Sequence, residues 1–104
     1  MLATEWNELL RDATERRLAI TVAKGTEYCR GDVDVLANFK RVAEGCGMTA
    51  LQVWWVYLHK HIDALANYVR TGSEASGEGI EGRLDDIQNY VDLGRGLIYE
   101  HKMI

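Results

Sequence analysis

Apolar positions along this chain recur every three or four residues and nowhere alternate, a pattern that predicts helices and no strands. Trp6, Leu9, Leu10, Ala13, Arg17 and Ile20 keep to one stripe. Thr4 is a good N-cap ahead of it, and Glu5 and Glu8 stand where the helix dipole favours acids. The first helix is therefore expected over about 4–23, ended by Lys24-Gly25. A loop from Gly25 to Asp32 follows. Asp32 or Asp34 then caps a short second helix over 34–46, whose buried stripe is Val35, Leu36, Phe39, Val42, Ala43 and Cys46, and Gly45 and Gly47 stop it.

Thr49 with Gln52 is a capping-box arrangement and opens the third helix, expected over 50–70. Leu51, Trp54, Leu58, Ile62, Leu65 and Val69 share one of its stripes. Val53 and Val56 point to the far side, next to Lys60, Asp63 and Asn67. A helix apolar nearly all round in its first half wants cover on both sides, and in so small a chain the second cover is expected from another subunit. Thr71 to Gly79 is a Gly/Ser-rich joint, after which a fourth helix over 78–101 buries Ile80, Leu84, Ile87, Val91 and Ile98. The expectation is an all-α fold, a small four-helix bundle-like single domain over 1–104.

Composition narrows the class. A chain of 104 residues, 47% hydrophobic and 27% charged, is long enough for one domain and too short for two. Its longest uncharged apolar stretch, around Leu51 to Leu58, falls far short of a membrane span, and Met1 to Leu10 lacks the cationic start of a signal peptide. Cys29 and Cys46 show neither CxxC nor paired Cys/His spacing, which argues against a disulfide framework or a structural zinc. A soluble intracellular domain is expected.

The net charge of −4 is unevenly placed. Residues 1–72 hold nine Lys/Arg and nine Asp/Glu, whereas residues 73–104 hold three and seven, so the whole excess lies in the last third. That disfavours a general nucleic-acid binder, which needs a basic face. It allows a divalent cation site or simply a solvated helix.

Three clusters can carry chemistry. On the fourth helix Glu78, Glu81, Asp85 and Asp92 follow one stripe, and carboxylates so spaced can share Mg²⁺, although a solvated outer face is the plainer account of them. Asp86 points elsewhere, beside Tyr90, Leu93 and Leu97, where a carboxylate needs a partner or a metal. On the third helix His59, Lys60, His61 and Asp63 form a polar patch, with His59 and Asp63 one turn apart and able to pair. Lysine suits phosphate and histidine titrates near neutrality; the alternative is a salt-bridged polar helix end, with His61 a satisfied border residue. The loop after the first helix combines Lys24, Tyr28 and Arg30 with Gly25 and Gly31, which suits phosphate and base stacking or else a structured turn. No nucleophile with a base in reach recommends acyl chemistry.

Lys24-Gly-Thr-Glu-Tyr28, Asn38-Phe39-Lys40, Lys60-His61-Ile-Asp63 and Glu78-Gly-Ile-Glu-Gly-Arg-Leu-Asp-Asp86-Ile-Gln-Asn89-Tyr90 follow one another along the chain. As spaced short motifs over residues 24–100, they resemble small phage-borne proteins of the MazG-like group. These are all-α nucleotide pyrophosphatase relatives that include the nucleotide modification associated domains. The resemblance implies homo-oligomeric helical protomers in the host cell cytoplasm, with carboxylates holding Mg²⁺ around a nucleotide's phosphates. Carried over by position, it implies Glu78 and Asp86 as catalytic and metal-binding, followed by Asn89. Lys60, His61 and Asp63, with Tyr28, Arg30 and Lys24, would be ligand-binding.

Hydrolysing members carry Glu-Glu-x-x-Glu where this chain has Lys60-His61-x-Asp63, and two basic groups there repel Mg²⁺ and attract phosphate. The functional expectation is thus a nucleotide-binding protein, with Mg²⁺-dependent nucleoside triphosphate pyrophosphohydrolysis as one branch. The alternative is a non-catalytic accessory protein that sequesters a nucleotide signal or binds a host protein through its helical surface. An interaction module docking a partner helix on Val53, Trp55 and Val56 is a third possibility.

Overall fold

The computed structural model describes residues 1–28, 34–73 and 79–103, with only the backbone described for residues 23–28 and 103. The protein is all-α: α1 (Ala3–Tyr28), α2 (Ala37–Cys46), α3 (Ala50–Thr71) and α4 (Ile80–Met103), with no strand among the described residues. No helix of the described residues is long and apolar enough to cross a membrane. The chain divides into two compact units, Met1–Val35 and Leu36–Ile104.

The first unit is α1. Lys24-Gly25 does not end it: the helix runs on through Gly25 to Tyr28. A glycine inside a helix costs about 1 kcal/mol relative to alanine but stops the helix only when it turns left-handed. Of its apolar stripe, Trp6, Leu9, Leu10 and Ile20 are each between 42% and 51% accessible. At the N-terminus the Glu5 carboxylate accepts from the Leu2 backbone N–H at 2.8 Å.

The second unit begins at Leu36, which occupies the N-cap of α2 without a side-chain cap. The N-cap position of α2 is thus Leu36 rather than the expected Asp34, and Asp32 lies outside the described residues. Leu36, Phe39 and Ala43 are buried at i, i+3, i+7, while Val35 and Cys46, expected beside them, are exposed. Gly47 closes α2 in the left-handed region at φ 64°, and Gly72 closes α3 at φ 69°. The capping box at the start of α3 is complete: the Gln52 N–H donates to Thr49 Oγ1 at 3.1 Å, and the Thr49 N–H donates to Gln52 Oε1 at 2.9 Å.

α3 and α4 form an antiparallel pair, since Trp54 near the start of α3 bonds to Tyr90 while His61 further along meets Arg83. Each helix buries a face about a quarter-turn from the stripe its aliphatic residues predict. On α3 the buried side chains are Val53, Leu58 and His61, with Tyr57 half-buried beside them, and of these Leu58 belongs to the expected stripe. Val53, expected on the far side with Val56, is the most buried side chain of the core, while Leu51, Ile62 and Val69 of the expected stripe stay exposed. On α4 the buried line is Tyr90, Leu93, Gly94 and Leu97, and Leu84, Val91 and Ile98 are each about 40% exposed. Lys60 and Asp63, expected to be covered with the Val53 face, are exposed.

The reason for this rotation is aromatic packing. Phe39 of α2 wedges between Tyr57 and Tyr90, with ring centroids 5.9 Å and 6.2 Å away. Such pairs contribute about 0.5–1.5 kcal/mol each beyond simple burial. Trp54 donates its indole N–H to the Tyr90 carbonyl and fills the space over Gly94. α2 therefore covers one side of the α3/α4 pair, and the ion pair Lys40–Glu100 at 2.9 Å ties its middle to the end of α4.

Candidate functional site

Three residues of α4 converge on one residue of α3. Arg83, Asp86 and Tyr90, spaced three and four apart, lie on one face, and opposite them His61 is buried. Arg83 Nη1 donates to His61 Nδ1 at 2.8 Å. Since a guanidinium only donates, Nδ1 is the accepting nitrogen and the ring proton resides on Nε2. Asp86 Oδ2 stands 3.9 Å from the same nitrogen, close enough for charge but not for a hydrogen bond. The Tyr90 ring stacks on the imidazole at 4.8 Å with a 41° tilt.

Tyr90 belongs to two environments at once. Burial, the negative charge of Asp86 and the neighbouring Tyr57 phenol, in that order, raise its pKa above the ordinary 10.0. Its other neighbours are Val56, Tyr57 and Lys60, which with it line a hollow of about 330 Å³, at the lower end of the range for small-molecule pockets. The site is thus a polar cluster of Arg83, His61 and Asp86 against one part of Tyr90, and an aromatic hollow with a lysine on its wall against another.

The structure brings His61 and Asp86 together and sets Lys60 one residue further round α3, on the hollow. Asp63 is exposed and takes no part in the hollow's lining among the described residues. His59 turns back to the Trp55 carbonyl at 3.2 Å and packs edge-on against the Trp55 ring, rather than pairing with Asp63. Asn89 is half-buried on α4, beside Tyr90 in sequence. Glu78 and Arg30, and the side chains of Lys24 and Tyr28, lie outside the described residues.

Arg83 and Tyr57 were not singled out from sequence. Arg83 shares the i, i+3, i+7 line of Asp86 and Tyr90, and that line was the available signal. It was masked because Ile80, Leu84 and Ile87 mark a neighbouring stripe more strongly.

Among the described residues, no group of three His, Cys, Asp or Glu side chains can hold a metal ion. Asp86 faces the imidazole nitrogen that the Arg83 guanidinium occupies, and Glu78, expected to share a metal with it, lies outside the described residues. Compared with protein-family models, with curated protein sequences and with solved structures, the chain matches none of them.

Proposed function

We propose that this protein binds a phosphorylated small molecule of the nucleotide class in the hollow between α3 and α4, and does so without hydrolysing it. The observation that carries the reading is the position of Tyr90, walled with Tyr57 and Lys60 on the hollow and anchored beneath by stacking on His61. Aromatic faces suit a base, and the lysine ammonium is a point charge suited to phosphate. The Arg83–His61–Asp86 cluster is the floor that fixes Tyr90, not a set of metal ligands.

The resemblance to the MazG-like group supports a nucleotide as the ligand. It also supports a homo-oligomeric phage protein in which Asp86 and Glu78 hold Mg²⁺ and water is activated. The Arg83 guanidinium on the His61 nitrogen that Asp86 faces weighs against that chemistry, so no step is routed through the metal. The runner-up is an accessory protein that binds a host protein, and the exposure of Trp55 and Val56 favours it; Val53, once part of that face, is core.

Isothermal titration with nucleoside mono-, di- and triphosphates, with and without Mg²⁺, tests the reading. Lys60→Ala, at an exposed position, should weaken the ligand that binds at least tenfold while leaving the melting temperature unchanged. No heat from any nucleotide at about 1 mM removes nucleotide binding, and release of pyrophosphate reinstates the hydrolase branch.

A further inference from the structure

Phe39 is 4% exposed and is not among the described residues that line the hollow, so a molecule bound there would not touch it. Its ring nonetheless packs on both aromatic walls. Tyr57 of α3 lies against it at an interplanar angle of 51°, and Tyr90 of α4 meets it edge-on at 72°. Leu36 and Ala43, about one turn to either side, are buried with it. The wedge therefore belongs to the buried face of α2 and cannot leave the tyrosines unless α2 moves too.

The two walls are held unequally. Tyr90 stacks on His61 as well as on Phe39. Tyr57 is half-buried, and among the described residues Phe39 is the one ring it packs on. A half-buried ring without that support would be ordered only when a ligand arrived, and ordering a side chain on binding lowers affinity. Phe39 orders it beforehand. Lys60, three residues further along α3, is exposed on a flexible stem, so its attraction for phosphate does not depend on the wedge.

We infer that Phe39 is a positioning residue of the nucleotide hollow: acting through Tyr57, it holds the base-stacking wall in place and makes the site prefer a phosphate that bears an aromatic ring to one that does not. The inference rests on the proposed function and adds to it the moiety that decides affinity.

The test titrates adenosine and uridine 5′-monophosphate as ring-bearing probes and ribose 5-phosphate as the probe without a base. The wild type should bind at least one nucleotide more tightly than ribose 5-phosphate. Phe39→Leu should weaken that nucleotide by about two- to tenfold and leave ribose 5-phosphate unchanged. Leu97→Val, a core change outside the hollow's lining, should leave both unchanged and so separates the wedge from a general loss of packing. Phe39→Met, whose unbranched side chain adapts to the same space, serves as the second variant should leucine at this position unfold the chain. In the ligand-free protein, β-proton couplings of labelled tyrosine should show Tyr57 in one rotamer in the wild type and averaged over several in Phe39→Leu, with Tyr90 fixed in both. Undiminished nucleotide binding by Phe39→Leu, an equal loss for ribose 5-phosphate, or a Tyr57 rotamer unmoved by the substitution overturns this inference and leaves the proposed function standing. A wild type that binds neither nucleotide overturns both.

Discussion

The six-membered ring of Trp54 occupies the space in which a side chain at Gly94 would begin. The same indole donates its N–H to the Tyr90 carbonyl one turn earlier on α4. Position 94 therefore sets how closely α3 and α4 approach, and through Tyr90 it is coupled to the candidate site.

That relationship reverses the usual sign of a glycine substitution. In an open helix position Gly→Ala stabilises by about 0.5–1 kcal/mol. Gly82, also on α4, has open space where its Cβ would lie, so Gly82→Ala should raise stability by that amount. Gly94→Ala should instead lower it by roughly 1–3 kcal/mol, because the indole must move. Urea unfolding of the two variants compares them directly, and equal shifts would show that Trp54 does not fill that space.

Removal of the guanidinium at position 83 leaves the buried His61 Nδ1 without its donor. Arg83→Met keeps the aliphatic stem and should cost about 1–3 kcal/mol, the penalty of an unsatisfied buried acceptor. Chemical denaturation measures it, and a loss under a few tenths of a kcal/mol would mean the contact is dispensable.

Stability should fall at alkaline pH through Tyr90. Its folded pKa lies above 10.0, so the folded state holds this proton more tightly than the unfolded state does. The stabilisation is complete below pH 10 and is lost as pH climbs from there through the raised value. Tyr90→Phe, measured by denaturant midpoint between neutrality and strong alkali, should flatten this loss. An unchanged slope would place the alkaline transition elsewhere.

Thr49 holds the start of α3 through a reciprocal pair of bonds with Gln52. Thr49→Ala should destabilise the chain by about 1 kcal/mol, and Thr49→Ser should recover most of it. Thermal melts of the two variants distinguish the cap from any effect of side-chain volume.

Local features of this kind were legible from the residues alone. Period, caps and stops are short-range properties, so the spacing of apolar residues, Thr49-x-x-Gln52 and Gly47 located α2, α3 and α4 to within a few residues. They also marked His61 and Asp86 as polar groups on otherwise apolar helices. Gly25 misled because a glycine stops a helix only by its conformation, which composition does not reveal.

Which face each helix buries was decided in three dimensions. α3 and α4 each offer two apolar sides, and periodicity cannot rank them. The choice fell to the partners: Phe39 needed Tyr57 and Tyr90, and Trp54 needed the gap at Gly94. That rotation carried Arg83, Asp86 and Tyr90 inward against His61 and left Leu51, Val91 and Ile98 facing out. Sequence determined the helices and their candidate chemistry. Only the fit of rings against a bare backbone determined where that chemistry meets.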